Sequence, residues 1–474
     1  MNVPHTTAPG ATANPPASAA PIAATPLWQV FLAFLGPMVL ANFLQSLSGT
    51  VNGIYIGQML GVQAMAAAST FFPVLFFFIA FIIGLGAGAS VLIGQAWGAK
   101  KTERVKAVVG TTLTAGLILG LLIAALGSYF AENLLRALGT PTDVLSEAIR
   151  YARTMMWAVP GLFLFLLMTS MLRGVGDTLS PLLALILSTS AGLLVTPALV
   201  RGWLGLPQMG VASAAWGTIM AYLVAMAWLA WRLLHKPYHG HKHPMAPDAQ
   251  LLQHLRVDPQ LLKAVLRIGV PTGVQMMVIA LAEIALLTMV NSYGSKATAA
   301  YGAVNQIINY VQFPAISIAI TCSILSAQAI GAGQPQRLGK IARTGLHMNL
   351  IVTGALVLLG YLFSRHIISL FIADAAVVNV AQDLLHVMLW SCIVLGMAGA
   401  LSGVMRASGT VLVPTGISIL CILLVEIPVA WVLSHRMGLN GIWLAYPAAF
   451  IAMLVLQTVY YRLVWKKKPI KRLI

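Results

Sequence analysis

The sequence predicts an all-α polytopic membrane protein with about twelve transmembrane helices, arranged as two parallel six-helix repeats with a central cavity. Three observations carry this prediction. The mean hydropathy of +0.88 is far above that of a soluble domain. Apolar runs of about 20 residues, the length that crosses about 30 Å of hydrocarbon as helix, recur along all 474 residues. Polar and glycine landmarks of the first half also recur about 233 residues later.

The apolar runs are continuous rather than alternating, which favours helices over a β-barrel. We expect spans at about 27–50, 64–92, 106–130, 149–171, 179–201, 210–234, 264–290, 296–325, 341–363, 378–404, 412–433 and 439–462. This divides the chain into a disordered cytoplasmic tail (1–26), a six-helix N-lobe (27–234), a cytoplasmic linker (235–262), a six-helix C-lobe (263–462) and a basic cytoplasmic tail (463–474).

The formal net charge of +17 is distributed unevenly. With the N-terminus inside, 21 of the 28 lysines and arginines fall on the inner side, which is the bias of cytoplasmic loops and places both termini in the cytoplasm. The ending WKKKPIKRLI suits anionic membrane lipids. We expect no nucleic-acid partner, because no nucleic-acid-binding motif accompanies the charge. The three cysteines lie in apolar spans without metal spacing.

An internal duplication joins the two halves. GQAWGAKKTERVK (94–106) matches AQAIGAGQPQRLGK (327–340), so that Gln95 aligns with Gln328 and Gly98 with Gly331. The same offset joins Arg173 to Arg406. Each half has six spans, an even number, so both halves enter the membrane from the same side. A parallel repeat predicts a cavity between two lobes, and because one chain supplies both lobes we expect a monomer.

The linker contains four histidines in HKPYHGHKHP, namely His235, His239, His241 and His243. They could bind a metal, but no cysteine or carboxylate completes a site, so we favour a solvated linker. We therefore predict neither a metal site nor a cofactor.

Two acids lie deep in apolar spans, and an acid at the bilayer centre costs about 2.5–3.5 kcal/mol on insertion scales. Glu283 stands in MVIALAEIALLTMV, with no proline nearby, and we interpret it as the residue that binds a coupling ion or a cation. Glu426 stands two residues before Pro428, where a helix break is expected. We keep a structural and a functional interpretation of this possible second acid open.

Two polar stripes could line a cavity. Asn305, Asn309 and Gln312 share one face of the eighth span, and their counterparts in the first half lie in the aromatic FFPVLFFFI. The alternative is that these amides bond between helices as structural glue. A second stripe on the first span includes Asn42, Gln45 and Asn52, and Gln275 lies about two turns before Glu283.

Arg173 and Arg406 occupy matching inner ends of the fourth and tenth spans, where they serve as gating candidates, anchor the helices or pair with acids such as Asp177. No ATP-binding P-loop is present, because GQPQRLGKI lacks the required spacing and hydroxyl residue. No protease or hydrolase motif occurs either, so we expect a transporter with no catalytic residues rather than an enzyme.

The two repeated loops, with VNGIYIGQMLGVQAMAAAS (51–69) and LRGVGDTLSP (172–181), resemble the multidrug and toxic compound extrusion (MATE) transporters of bacteria. The resemblance covers about residues 27–462 and implies two lobes, location in the bacterial inner membrane, and export of organic cations in exchange for H⁺ or Na⁺. Many members carry an acid where this chain has Asn52. In another branch, an acid of the seventh helix falls about one turn before Glu283, and one of the tenth helix corresponds to Leu395.

The sequence thus predicts a secondary active antiporter that exports organic cations or drugs in exchange for H⁺ or Na⁺ by alternating access. The main alternative is a flippase for lipid-linked precursors, which needs several cations in the cavity for a pyrophosphate. Every Lys and Arg lies at a span end or in a loop, although Arg150 and Arg153 near a boundary keep this alternative open. A structural or receptor-like membrane protein is the third interpretation.

Overall fold

The computed structural model describes residues 26–137, 140, 142, 145–203, 210, 212–238, 240–372 and 374–474. All but the last residue of the expected tail 1–26 therefore lies outside the described residues. Within these described residues, twelve helices are long and apolar enough to cross a membrane. They are α1 (Leu27–Tyr55), α2 (Val62–Gly98), α3 (Thr102–Ala137), α4 (Leu145–Val175), α5 (Leu179–Arg201), α6 (Ala212–His235), α7 (Pro259–Asn291), α8 (Ser295–Gly331), α9 (Leu338–Leu362), α10 (Ala375–Ala407), α11 (Leu412–Met437) and α12 (Leu439–Lys467). The predicted fold class is confirmed.

Several spans are interrupted, and one break was expected from the sequence. Helix α11 consists of an α-helix to Cys421, a π-turn over Ile422–Glu426 and a second α-helix from Ile427. The π-turn directly precedes Pro428, which has no amide hydrogen to donate to the preceding turn. Helix α10 is broken at Trp390 and α12 at Leu444. The π-turn of α11 is wider than an α-helical turn and changes the direction of its side chains, and π-turns are frequent at functional sites.

The two lobes have the same packing pattern. In the N-lobe, α4 packs against α2, α3 and α6; in the C-lobe, α10 packs against α8, α9 and α12. Each contact in one lobe thus has its counterpart six helices later, as a parallel repeat requires. The central helices α4 and α10 are the ones that carry Arg173 and Arg406 at their ends.

Contacts between the lobes run mainly through α2, which packs against α7 and α8. Glycines permit the close crossing with α7: a Cβ atom at Gly84 would overlap the Gly269 carbonyl. Small residues at helix crossings are typical of membrane proteins, where close van der Waals packing replaces the hydrophobic effect. One apolar core joins both lobes, and a second core lies within the C-lobe around Tyr301 and Trp443.

The linker packs against the N-lobe, in contrast to the solvated linker that we expected. Lys106 of α3 donates a 2.7 Å hydrogen bond to Asp248 and a 2.9 Å bond to Gln250. His243 and Met245 are buried. A short helix, Ala249–Gln253, begins at Asp248, whose carboxylate accepts from the Leu251 amide. No cluster of metal-binding side chains occurs within the described residues, and His239 lies outside them.

Candidate functional site

Glu283 on α7 meets two tyrosines that come from different helices. The hydroxyl of Tyr301, on α8, donates to Glu283 Oε2 at 2.5 Å, and the hydroxyl of Tyr446, on α12, donates to the same oxygen at 3.0 Å. All three residues lie six to eight positions from the same end of their spans. At 1.5 Å per residue they share a depth of about 9–12 Å, so the three groups form one layer near the end of the C-lobe where α7 and α8 are joined.

The surroundings of this layer are aromatic and apolar. The Tyr301 and Tyr446 hydroxyl oxygens are 2.9 Å apart. The Tyr301 ring stacks on Trp443, with centroids 5.7 Å apart and planes 10° from parallel. Both tyrosines and Trp443 are buried in the C-lobe core. Because the local dielectric is low in such surroundings, hydrogen bonds to the carboxylate are stronger than they would be in water.

Glu426 ends the π-turn of α11, and its residue surface is only 4% exposed. The turn packs against α7 and α12, the helices that carry Glu283 and Tyr446. Glu426 lies within electrostatic range of Glu283 and of both tyrosines. The two deep acids predicted from the sequence therefore lie on elements that pack together in the C-lobe.

The amides predicted along α8 divide between two roles. Asn309 is exposed, as a residue that lines a cavity should be, and Asn305 is half-buried. Gln312 is half-buried and lies near Cys392 of α10, so it faces another helix of its own lobe. Gln306 was not among the predicted residues. Its amide donates to the Ser46 hydroxyl of the other lobe at 3.4 Å and to the Tyr310 hydroxyl at 3.0 Å.

The stripe on α1 lies partly between the lobes and partly beside a cavity. Asn42 donates to Ser317 of α8 at 3.3 Å, so it joins the two lobes. Gln45 is exposed and lines a cavity of about 90 Å³ within the N-lobe, together with Met155, Tyr222 and seven other residues. Asn52 is half-buried. The Gln275 amide oxygen is buried without a hydrogen-bond partner among the described residues, which makes it a polar group with unused bonding capacity.

Arg173 and Arg406 are half-buried at the ends of α4 and α10. Of the alternatives predicted for Arg173, pairing with Asp177 is not observed among the described residues: Asp177 faces His243 of the linker at 3.5 Å and accepts from the Ser180 amide near the start of α5. Burial alone would raise the pKa of Asp177, but the nearby His243 imidazole and the hydrogen bond from the Ser180 amide lower it below its ordinary value. Asp177 does not pair with its neighbour in sequence, because His243, 66 positions further along the chain, contacts it instead.

The sequence analysis did not predict three residues of this site, namely Tyr301, Trp443 and Tyr446, because tyrosine and tryptophan are common in membrane helices. Comparing the repeats offers a signal that would have found them. The repeat offsets of 233 and 231 residues pair Tyr301 with Ala68 and Tyr446 with Ala215, and Glu283 pairs with Thr50. Glu283, Tyr301 and Tyr446, which we call the polar cluster, therefore each stand at a position where the N-lobe has a small residue.

Comparison with known proteins agrees with the two-lobe fold. Residues 37–198 and 271–432, one segment in each lobe, match the MatE family model. The "Probable multidrug resistance protein YoeA" of Bacillus subtilis is 45% identical over 454 residues, which cover 94% of this chain and 96% of that protein. A protein of Shewanella oneidensis named "FAD transporter" is 28% identical over 428 residues, covering 88% of this chain and 90% of that one.

Solved structures agree in fold. A mutant of the Vibrio cholerae MATE transporter VcmN superimposes with a TM-score of 0.85 at 22% identity, covering 94% of this chain and 98% of the other. Twelve apolar helices, two matching lobes and a family match in each lobe lead to one conclusion: the chain belongs to the MatE family, the multidrug and toxic compound extrusion transporters.

Proposed function

We propose that the protein is a secondary active antiporter that exports organic cations or drugs in exchange for H⁺ or Na⁺ by alternating access between its two lobes. Glu283 is the residue that binds the coupling ion or the cationic cargo. Family membership supports transport, and the name of the Bacillus relative supports drugs as cargo. The observation that carries the role of Glu283 is its hydrogen-bonded contact with Tyr301 and Tyr446 in the interior of the C-lobe.

The geometry favours a proton as the ion. Three oxygens, one from Glu283 and one from each tyrosine, lie 2.5, 2.9 and 3.0 Å apart, so all three contacts are of hydrogen-bond length. Each contact needs one hydrogen, and the two hydroxyls supply only two. A proton on the carboxyl supplies the third and closes a ring, in which Glu283 donates to Tyr446, Tyr446 to Tyr301 and Tyr301 to Glu283. Sodium brings no hydrogen and does not complete this ring.

Competition for one carboxylate is enough to couple two opposite fluxes. When the site opens to the cytoplasm, ionised Glu283 attracts the cationic cargo. When it opens to the outside, a proton binds the carboxylate, the attraction disappears and the cargo leaves. Glu426, which lies within electrostatic range, is the second acid in this region and the alternative binding residue.

The described polar residues suit a cationic or aromatic cargo. Exposed Asn309 offers an amide, and exposed Phe72 and Phe77 on α2 offer aromatic faces. Arg150 and Arg153, which kept the flippase alternative open, are both exposed rather than held in the lobe interior. Flat cations are attracted to aromatic faces, whereas a pyrophosphate needs enclosing arginines or lysines. The name of the Shewanella relative keeps an anionic nucleotide cargo as the competing class.

Efflux from proteoliposomes tests the proposal. We would load a fluorescent organic cation and impose a proton gradient and then a sodium gradient at fixed membrane potential. A proton gradient should drive export by the wild type. Glu283→Gln should lose gradient-driven export while remaining folded. The matched control is Glu132→Gln, because the Glu132 side chain is 42% exposed in the other lobe and pairs with Arg136 on its own helix.

Each alternative predicts a different result in the same assay. Export driven only by the sodium gradient would identify sodium as the ion. No flux of any cation under either gradient would favour the flippase. Proton-driven export that survives in Glu283→Gln would transfer the coupling role to Glu426.

A further inference from the structure

A reciprocal contact between α2 and α8 joins the lobes at the end of the molecule that the charge bias predicts to be cytoplasmic, and we call this contact the inner gate. We call the end of the molecule that holds the loops 99–101, 176–178, 332–334 and 408–411 the basic end. There, a Cβ atom at Gly98 would overlap the backbone of Gln328, and a Cβ atom at Gly331 would overlap the backbone of Gln95. The two pairs are related by the 233-residue offset. The two helices, one from each lobe, thus touch backbone to backbone and close the seam between the lobes at this end.

Two glutamines join the lobes across this contact. Gln95 on α2 donates to the Ala407 carbonyl at the end of α10 at 2.8 Å, and Gln328 on α8 donates to the Gly174 carbonyl near the end of α4 at 3.0 Å. Both bonds are buried and obey the internal repeat. Their acceptors directly follow Arg406 and Arg173, the predicted gating residues. Any separation of the lobes at the basic end breaks both bonds and leaves buried polar groups to be satisfied again.

The segment 469–474, which follows the last span, binds only one of these glutamines. The Leu473 amide donates to Gln95 Oε1 at 2.8 Å, so both polar atoms of this side chain are bonded. The Leu473 side chain fills the space beside Gly409, where a Cβ atom would lie 2.8 Å from it. Ile470 and Ile474 pack on the apolar core that the lobes share, whereas Lys471 and Arg472 are exposed.

The linker provides the counterpart on the other half. Gly176 aligns with Gly409, and the Tyr238 hydroxyl covers it 3.3 Å from where a Cβ atom would stand. The linker is tied to α3 by the ion pair between Lys106 and Asp248. The linker joins two spans, whereas segment 469–474 follows the last span. Segment 469–474 can therefore be deleted, or can leave its site, without interrupting any span.

We propose that segment 469–474 is a latch on the inner gate, and that it acts through Gln95. Its docking holds α2 against the end of α10 and favours the state closed at the basic end. Its release lowers the cost of opening that end. The proposal rests on the alternating access proposed above, but on neither the coupling ion nor the cargo.

Spin-label distances test the latch directly. Lys101 and Gln334 are exposed, lie in loops of opposite lobes at the basic end and are related by the repeat. We would label Lys101→Cys and Gln334→Cys in a chain whose Cys322, Cys392 and Cys421 are alanine, and measure the distance distribution by pulsed electron resonance. Deleting 469–474 should raise the ratio of open to closed molecules roughly fivefold, the factor expected for one net hydrogen bond. An unchanged distribution overturns the proposal.

A double-variant comparison separates a latch on Gln95 from general loosening. In a Gln95→Met chain the deletion should have little further effect, because its hydrogen-bond partner is already gone. In a Gln328→Met chain it should keep its full effect. An equal effect of the deletion in both chains overturns the role of Gln95. These measurements need no ion gradient and no cargo, so they stay informative if the antiport proposal fails.

Two full-length variants keep the test valid if the deleted chain folds poorly. Leu473→Pro removes the amide hydrogen that reaches Gln95 together with the side chain beside Gly409, and should open the gate as the deletion does. The closed distribution of the unmodified chain would contradict the latch. Replacing Lys466, Lys467 and Lys468 together by glutamine removes charge but no contact with the gate, and should leave the distribution unchanged. Opening by this triple variant alone would assign the effect to lipid attraction and overturn the latch.

Discussion

At the scale of residues, the C-lobe site depends on three oxygens that share too few hydrogens when Glu283 is ionised. Tyr301 and Tyr446 both donate to one carboxylate oxygen, and their own oxygens remain 2.9 Å apart. Hydrogen bonds to a charged group contribute about 1.5–3 kcal/mol each. The tyrosines therefore stabilise a carboxylate that the apolar core by itself would disfavour.

Tyr301→Phe should slow proton-driven cation efflux by roughly tenfold or more, because it removes the shorter of the two bonds to the carboxylate. Tyr446→Phe should have a smaller effect through its 3.0 Å contact. Initial efflux rates from proteoliposomes measure both. Tyr361→Phe is the matched control, because this hydroxyl bonds to the His386 backbone in the same lobe. Tyr361→Phe should keep normal rates, and equally normal rates for Tyr301→Phe would contradict the role of the cluster.

At the scale of elements, the linker is fixed by a short helix and one ion pair. Partial burial works to raise the pKa of Asp248, but hydrogen bonds from Lys106, the Leu251 amide and Lys242 lower it to about 2. A carboxylate whose pKa is lowered in the folded state stabilises the fold above its unfolded pKa, near 3.8, and loses this contribution as the pH falls through 2. The linker should therefore loosen between about pH 4 and pH 2.

Cleavage by pepsin, which works in this pH range, measures that loosening. Wild-type cleavage within 236–258 should accelerate as the pH falls from 4 to 2. Asp248→Asn should already be cleaved roughly tenfold faster at pH 4, the effect of losing a hydrogen bond to a charged group. Its remaining pH dependence comes from Asp177, which faces His243. Asp374→Asn is the control, because Asp374 caps a C-lobe helix far from the linker. A protected linker in Asp248→Asn would refute the anchoring role of this pair.

At the scale of the whole molecule, the sequence was sufficient for the properties that each segment carries alone. Span number, duplication and the deep acids Glu283 and Glu426 depend on local hydropathy and on repeats. The partners of Glu283 depend on which faces of α7, α8 and α12 converge, and hydropathy does not specify this. The same limit explains Asp177: its nearest cation in sequence is Arg173, but linker packing brings His243 to it.

The internal repeat also predicts equal effects at paired positions of the gate. Gly98→Ala and Gly331→Ala each place a methyl group against a backbone carbonyl of the other lobe, which cannot move aside as a flexible side chain can. Both should push the basic end apart and speed amide hydrogen exchange in 92–98 and 325–331 by roughly tenfold, as overpacking that costs more than about 1 kcal/mol implies. Gly339→Ala is the control, because nothing lies within 4 Å of its added Cβ atom. Faster exchange in only one of the two variants would mean that the lobes do not close this gate as equal halves.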